Sequence, residues 1–155
     1  MTLARSADVG AHEARPRGWT RQVPNAHVLA GRNVLIVEDE VFVSMDIAFT
    51  LETAGARIAG ATSIAAALRL LNEADRSGER FDAASLDVII RGQTTMRVAA
   101  ALRERGVPFL VHTAHALSCA ALIETLDAPV LPKPALPEAV ASALADLLTA
   151  GTVDP

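Results

Sequence analysis

Tyrosine is absent from this sequence, tryptophan occurs once and phenylalanine four times. A chain that is 51% hydrophobic with so few aromatics must build its core from Ala, Leu, Val and Ile. Cysteine also occurs once, at Cys119, which excludes an intramolecular disulfide and fits a reducing compartment. Cys119 lies in an Ala-rich, helix-like stretch and reads as a small apolar side chain rather than a reactive thiol. No apolar run approaches the roughly 20 residues that span a bilayer. The N-terminal arginines are not followed by the continuous apolar stretch of a signal peptide. These absences lead us to expect a soluble, cytoplasmic protein with no membrane partner. An excess of basic charge is missing too: the net charge of −4 argues against nucleic-acid binding through phosphate contacts.

A length of 155 residues suits one ordinary domain with a real core. Residues 1–31 stand apart, with Arg5, Arg15, Arg17 and Arg21, three glycines, two prolines and no apolar periodicity. They read as a flexible N-terminal extension. Trp19 within it is either part of a solvated tail or an anchor by which the segment docks, since an exposed Trp makes a good anchor. The expected domain covers 32–150, and 151–155 form a short C-terminal tail.

From Arg32 onward, strand-like and helix-like segments alternate. Val34, Leu35, Ile36 and Val37 form an unbroken aliphatic run, as expected of a strand covered on both faces. Further strands are expected over 57–61, 81–86, 108–112 and 128–131. A first helix is expected over 40–54, stopping at Gly55. A second is capped by Ser63 and buries Ile64, Leu68 and Leu71, with a polar loop over 75–80. A third is expected over 95–105 with Val98 and Leu102 inward, and a fourth over 116–126. The fifth has Pro137 in its first turn and buries Val140, Leu144 and Leu147. Five strands and five helices in strict alternation predict an α/β fold. Its expected form is a doubly wound five-stranded parallel sheet in three α/β/α layers, with the flavodoxin-like order 2-1-3-4-5.

Four strands deliver a polar or charged residue at their C-terminal ends. Glu38 and Asp39 follow the first, Asp87 the third, Thr113 the fourth and Lys133 the fifth. Ligands bind along this edge of an open parallel sheet. Three carboxylates in one crevice repel and raise one another's pKa. A hard divalent cation relieves that repulsion, and Mg²⁺ suits carboxylates combined with water and phosphate oxygens. An ammonium at Lys133 and a hydroxyl at Thr113 are suited to hold phosphoryl oxygens.

Val34–Glu40, Leu86-Asp87-Val88, Thr113-Ala114 and Lys133-Pro134 resemble, in order, the signature blocks of bacterial response-regulator receiver domains of the single-domain, chemotaxis-regulator type. The resemblance covers about 32–150. It implies that Asp87 accepts a phosphoryl group from a sensor histidine kinase or phosphotransfer protein. It also implies that Glu38, Asp39, Asp87 and the backbone carbonyl of Ile89 hold Mg²⁺, that Lys133 pairs with the phosphoryl group, and that Thr113 swings to bond it. The Lys133–Pro134 peptide is expected to be cis. Phosphoryl transfer needs positioning and charge neutralisation more than covalent help from the protein.

The sequence departs from the family pattern in places. Val130 stands where an aromatic switch partner is usual, and Arg91 where a proline is frequent. The loop over 91–95 looks polar and compressed. Ile89 and His115 occupy two positions that, in the family, flank the phosphoryl group and tune its hydrolysis. Ile89 is expected to shield the phosphorus from water. His112 and His115 form an H-x-x-H spacing, but a two-His zinc site needs further ligands.

The reading favoured is a stand-alone receiver, a phosphoacceptor rather than an enzyme, with at most self-phosphorylation and autodephosphorylation. Its output passes through a downstream protein partner reading the face of the fourth helix, fifth strand and fifth helix, or through relay of the phosphate. A homodimer stays open. A pseudo-receiver that binds partners without phosphorylation is the alternative: the intact Glu38, Asp39, Asp87, Thr113 and Lys133 argue against it, and the missing aromatic argues for it. An aspartate-nucleophile phosphatase of the haloacid dehalogenase type wants a second Asp where Ile89 stands. No phosphate loop follows the first strand to hold a flavin.

Overall fold

The computed structural model describes residues 22–151. The segment read as an extension is therefore described only in its last ten residues, and Trp19 lies outside the described residues. A 3-10 turn at Ala26–Leu29 falls within that stretch, and its Leu29 is fully buried against α5 (Pro137–Ala150). Packed structure thus begins before Arg32.

The main sheet comprises β1 (Asn33–Val37), β2 (Arg57–Ala61), β3 (Ala83–Leu86), β6 (Phe109–Thr113) and β7 (Val130–Pro132). All four pairings are parallel and the order is β2-β1-β3-β6-β7. That is the expected 2-1-3-4-5 order once two short strands, β4 (Ile89–Ile90) and β5 (Gln93–Thr94), are left out of the count. Those two pair antiparallel in a small hairpin the sequence did not suggest. Its two turn residues, Arg91 and Gly92, have φ of +50° and +76°, the signs a two-residue hairpin turn demands at both positions.

Each face of the sheet carries helices. Leu35 and Val37 of β1 join a cluster with Ala67 and Leu71 of α2 (Ile64–Ser77), Val98 and Leu102 of α3 (Met96–Glu104) and Ile123 of α4 (Ala120–Glu124). Val34 and Ile36 join the opposite cluster with Ile47 and Leu51 of α1 (Val41–Thr53) and Val140 and Leu144 of α5. The alternation is the period of two of a strand buried on both sides, and it makes three layers. Each such side chain contributes about 1.5–3 kcal/mol on burial.

Ser63 caps α2 by accepting the Ala66 N–H at 3.1 Å, as the sequence predicts. The helix runs three residues into the expected loop and stops at Gly78, φ +72°, where the Glu79 N–H returns to the Ala74 carbonyl at 3.0 Å. In the third strand, Phe81 falls outside the ladder because Asp82 turns its carboxylate back onto the Asn33 N–H at 2.8 Å. The fourth helix is much shorter than expected: five residues, preceded by turns that leave Leu117 94% exposed. The last strand starts at Val130 rather than 128. In α5, Leu148 is buried and Leu147 only half-buried.

Candidate functional site

The C-terminal ends of β1, β3, β6 and β7 bring five of the expected residues to one edge. Asp87, directly after β3, is 5% exposed. Its Oδ1 accepts the Thr113 hydroxyl at 2.7 Å and the Ile89 N–H at 3.3 Å. Its Oδ2 accepts the Lys133 ammonium at 2.9 Å. Thr113 ends β6 fully buried, and its Oγ1 in turn accepts the His115 N–H at 3.1 Å. The Lys133 N–H donates to the Thr113 carbonyl at 2.9 Å, which continues the β6–β7 ladder and fixes the lysine's starting point. The Lys133–Pro134 peptide is cis.

Lys133 Nζ lies 2.6 Å from Glu38 Oε2, 2.9 Å from Asp87 Oδ2 and 3.0 Å from Glu40 Oε1. Burial alone would lower the lysine's pKa. Hydrogen bonds to Glu38, Asp87 and Glu40 outweigh that and raise it, so the ammonium stays charged. Glu38 is 2% exposed, and burial pushes its carboxyl up against the opposing bonds from Lys133 and the Glu40 N–H. The Glu38 carboxylate accepts that N–H at 3.1 Å.

Asp39 points elsewhere. Its Oδ2 accepts the Arg91 N–H at 2.8 Å, joining the hairpin turn to the end of β1. A left-handed conformation at a non-glycine residue costs on the order of 1–2 kcal/mol, and a hydrogen bond to a charged carboxylate offsets a cost of that size. Ligand atoms of Glu38, Glu40 and Asp87 all lie within 4.8 Å of one another. This oxygen-only, anionic donor set fits a hard cation such as Mg²⁺. Ile89 is half-buried just past Asp87, at the start of the hairpin.

Three contributors escaped the sequence reading. Glu40 is a third carboxylate on Lys133; it was visible as part of the acidic run but given no role. The Arg91 N–H holds Asp39, and no sequence signal announces a backbone donor. Thr95, 2% exposed, donates its hydroxyl to the Asp87 carbonyl at 2.6 Å, and its N–H to the Val88 carbonyl at 2.9 Å. It locks the backbone that carries Asp87, and a Thr just ahead of a helix was its only trace in the sequence.

His112 is 2% exposed on β6, and neither ring nitrogen has a partner among the described residues. Burial lowers its pKa, the Lys133 charge adds to this, and the imidazole is neutral. Among the described residues, no cluster of metal-ligating groups includes either histidine of the H-x-x-H spacing.

No family model and no curated protein matches the chain. Many solved structures do. A response regulator receiver protein from Sinorhizobium medicae is 26% identical, with a TM-score of 0.66 over 79% of this chain and 98% of its own. The non-phosphorylated HemR receiver domain from Leptospira biflexa is 24% identical, with a TM-score of 0.64 over 80% and 98%. A Burkholderia pseudomallei response regulator, solved with a phosphorylated aspartic acid, calcium ion and citrate, is 24% identical, with a TM-score of 0.62 over 79% and 73%. Sheet order, helix layering and these neighbours agree: the chain has the fold of the response-regulator receiver domains.

Proposed function

We propose that residues 32–150 act as a receiver that takes a phosphoryl group on Asp87 from a phosphohistidine of a sensor kinase or phosphotransfer protein. The observation that carries this reading is the bracketing of one buried carboxylate. Lys133 holds Oδ2, Thr113 and the Ile89 N–H hold Oδ1, and Glu38 backs the lysine. In the transfer, the phosphorus–nitrogen bond of the donor breaks, a phosphorus–oxygen bond to Asp87 forms, and the imidazole leaves as the neutral base after taking a proton from solvent. Positioning and charge neutralisation are the whole task. Lys133 follows the new negative charge from carboxylate to phosphoryl oxygen, and the Thr113 hydroxyl, already donating to Asp87, redirects to the same group.

Glu38, Glu40 and Asp87, whose carboxylate oxygens converge, would hold Mg²⁺ together with the Ile89 carbonyl, and Asp39 would join them on releasing the Arg91 N–H. A bound Mg²⁺ supplies positive charge to the phosphoryl oxygens. Receiver folds are generally phosphoacceptors rather than enzymes, and nothing in this site calls for a turnover chemistry of its own. Output passes to a protein partner at the α4–β7–α5 face. The intact set around Asp87 favours this over a phosphorylation-independent pseudo-receiver. Incubation with acetyl phosphate and Mg²⁺, read by intact mass, should add one phosphate to the native chain and none to Asp87→Asn. Equal incorporation in both would overturn the assignment. Omitting Mg²⁺, or replacing Glu38 and Asp39 together with Ala, should slow incorporation by at least an order of magnitude, since about 1.4 kcal/mol is tenfold.

A further inference from the structure

The four acids at the sheet edge are not equivalent. Glu38, Glu40 and Asp87 all pair with Lys133 Nζ, and their ligand atoms lie within 4.8 Å of one another. Asp39 stands outside that group. It is half-buried, no basic side chain pairs with it among the described residues, and its carboxylate is spent on the Arg91 N–H at 2.8 Å. It is therefore the one negative charge of the edge that Lys133 does not balance, and the one a cation at this edge gains most by recruiting.

The other end of that bond is the β4–β5 hairpin, whose base and tip are held very differently. The base is stapled by Thr95, which donates its hydroxyl to the Asp87 carbonyl and its N–H to the Val88 carbonyl. At the tip, Arg91, Gly92, Gln93 and Thr94 are all exposed. Beyond the hairpin's own ladder, two bonds tie the tip to the fold among the described residues. One is the Arg91 N–H to Asp39, and the other is a long one of 3.5 Å from the Arg91 guanidinium to Thr62 Oγ1. The φ of +50° at Arg91 is unfavourable for a residue with a side chain, so Asp39 holds the tip against a local cost. Turning the Asp39 side chain toward the other three acids takes its Oδ2 off the N–H.

We infer that Asp39 is a latch with two alternative partners: the Arg91 N–H, which orders the hairpin tip, and a divalent cation at Glu38, Glu40 and Asp87. It builds on the cation site proposed above, and adds that occupancy of that site and order of the hairpin tip oppose each other. Linkage makes the effect reciprocal: whatever loosens the tip strengthens cation binding.

The probe is MgCl₂ alone, added to the full chain without phosphodonor, with binding followed by calorimetry and amide exchange by NMR. At saturation the Arg91 amide should exchange about tenfold faster, a coupling of ordinary size, while the amides of α2 stay unchanged. Asp39→Asn keeps an acceptor for the N–H but loses the charge, so its Arg91 amide should stay protected when Mg²⁺ is added. Gly92→Val places a branched side chain at φ +76° and loosens the turn without changing the charge. It should bind Mg²⁺ several-fold more tightly than the native chain. No binding of Mg²⁺ to the native chain would overturn the cation site and the latch with it. Binding that leaves the Arg91 amide protected, equal acceleration in Asp39→Asn, or unchanged or weaker affinity in Gly92→Val would overturn the latch alone.

Discussion

β1 and β3 lie at the centre of the sheet with only Asn33 short of full burial, whereas β7 at the edge exposes both Val130 and Pro132. The contrast extends to what joins them. Between Thr113 and Lys133 only Ile123 and Leu126 are buried, and α4 has one and a half turns. The acids therefore sit on a rigid floor, while Thr113 and Lys133 bracket a thinly packed segment. Both bracketing residues touch Asp87 directly. Under the proposed function, a charge change at Asp87 would pull on the part of the molecule that is cheapest to rearrange, as expected where low-stability segments carry the response.

Removing the tie between the two halves should have the largest effect. Lys133→Met leaves buried Glu38 without its counterion, and we expect a loss of about 3 kcal/mol at neutral pH by urea denaturation. The deficit should shrink on both sides of neutrality. On the acid side the variant's Glu38, its pKa raised further without Lys133, takes up a proton and the uncompensated charge disappears. On the alkaline side the native lysine's own contribution is fully present below the unfolded value of 10.5, and fades as pH rises from there through the raised folded value. A deficit constant with pH would show that charge is not what Lys133 provides.

Core truncations should grade with the two halves. Leu35→Ala, at a fully buried site of β1, should cost about 2–5 kcal/mol. Val130→Ala, at a 39% exposed site of β7, should cost about 0.5 kcal/mol or less. Comparable costs would erase the proposed difference in packing.

Two smaller effects sharpen it. Amides of 114–126 should exchange with deuterium faster than those of α2, and phosphodonor with Mg²⁺ should change the former more; uniform protection would mean that the thin segment is not the responsive one. Ile89→Asn should shorten the life of the phosphorylated protein a few-fold, by replacing an apolar shield next to Asp87 with a group able to orient water. Unchanged or slower decay would show that Ile89 protects nothing.

The same two halves differ in how well the sequence reveals them. The β2 limits, the Ser63 cap, the end of α1 before Gly55 and the burial of Val34 to Val37 all follow from local chemistry: aliphatic runs, a hydroxyl ahead of an apolar period, and a glycine at φ +91°. The edge residues were legible because a polar side chain right after an aliphatic run can only lie where the strand stops. The region after Thr113 was harder. The Ala-rich stretch over 116–126 reads as helix from composition, but Leu117 finds nothing to pack on, so composition overstated the helix. The hairpin at 89–94 hinges on a positive φ at an arginine, which no propensity favours. For the same reason Asp39 is committed to a backbone N–H while Glu40 takes its place beside Lys133, a choice made by tertiary geometry.

Lys133 is also the chain's sole lysine, the other thirteen of the 14 basic residues being arginines. Its ε-amine is 9% exposed and held protonated by three carboxylates. An amine-acylating reagent at neutral pH therefore meets only the N-terminal amine of the native chain. A second label on this protein would report the one event that frees Lys133 from Glu38, Glu40 and Asp87, making covalent tagging a readout of how firmly that carboxylate set is closed.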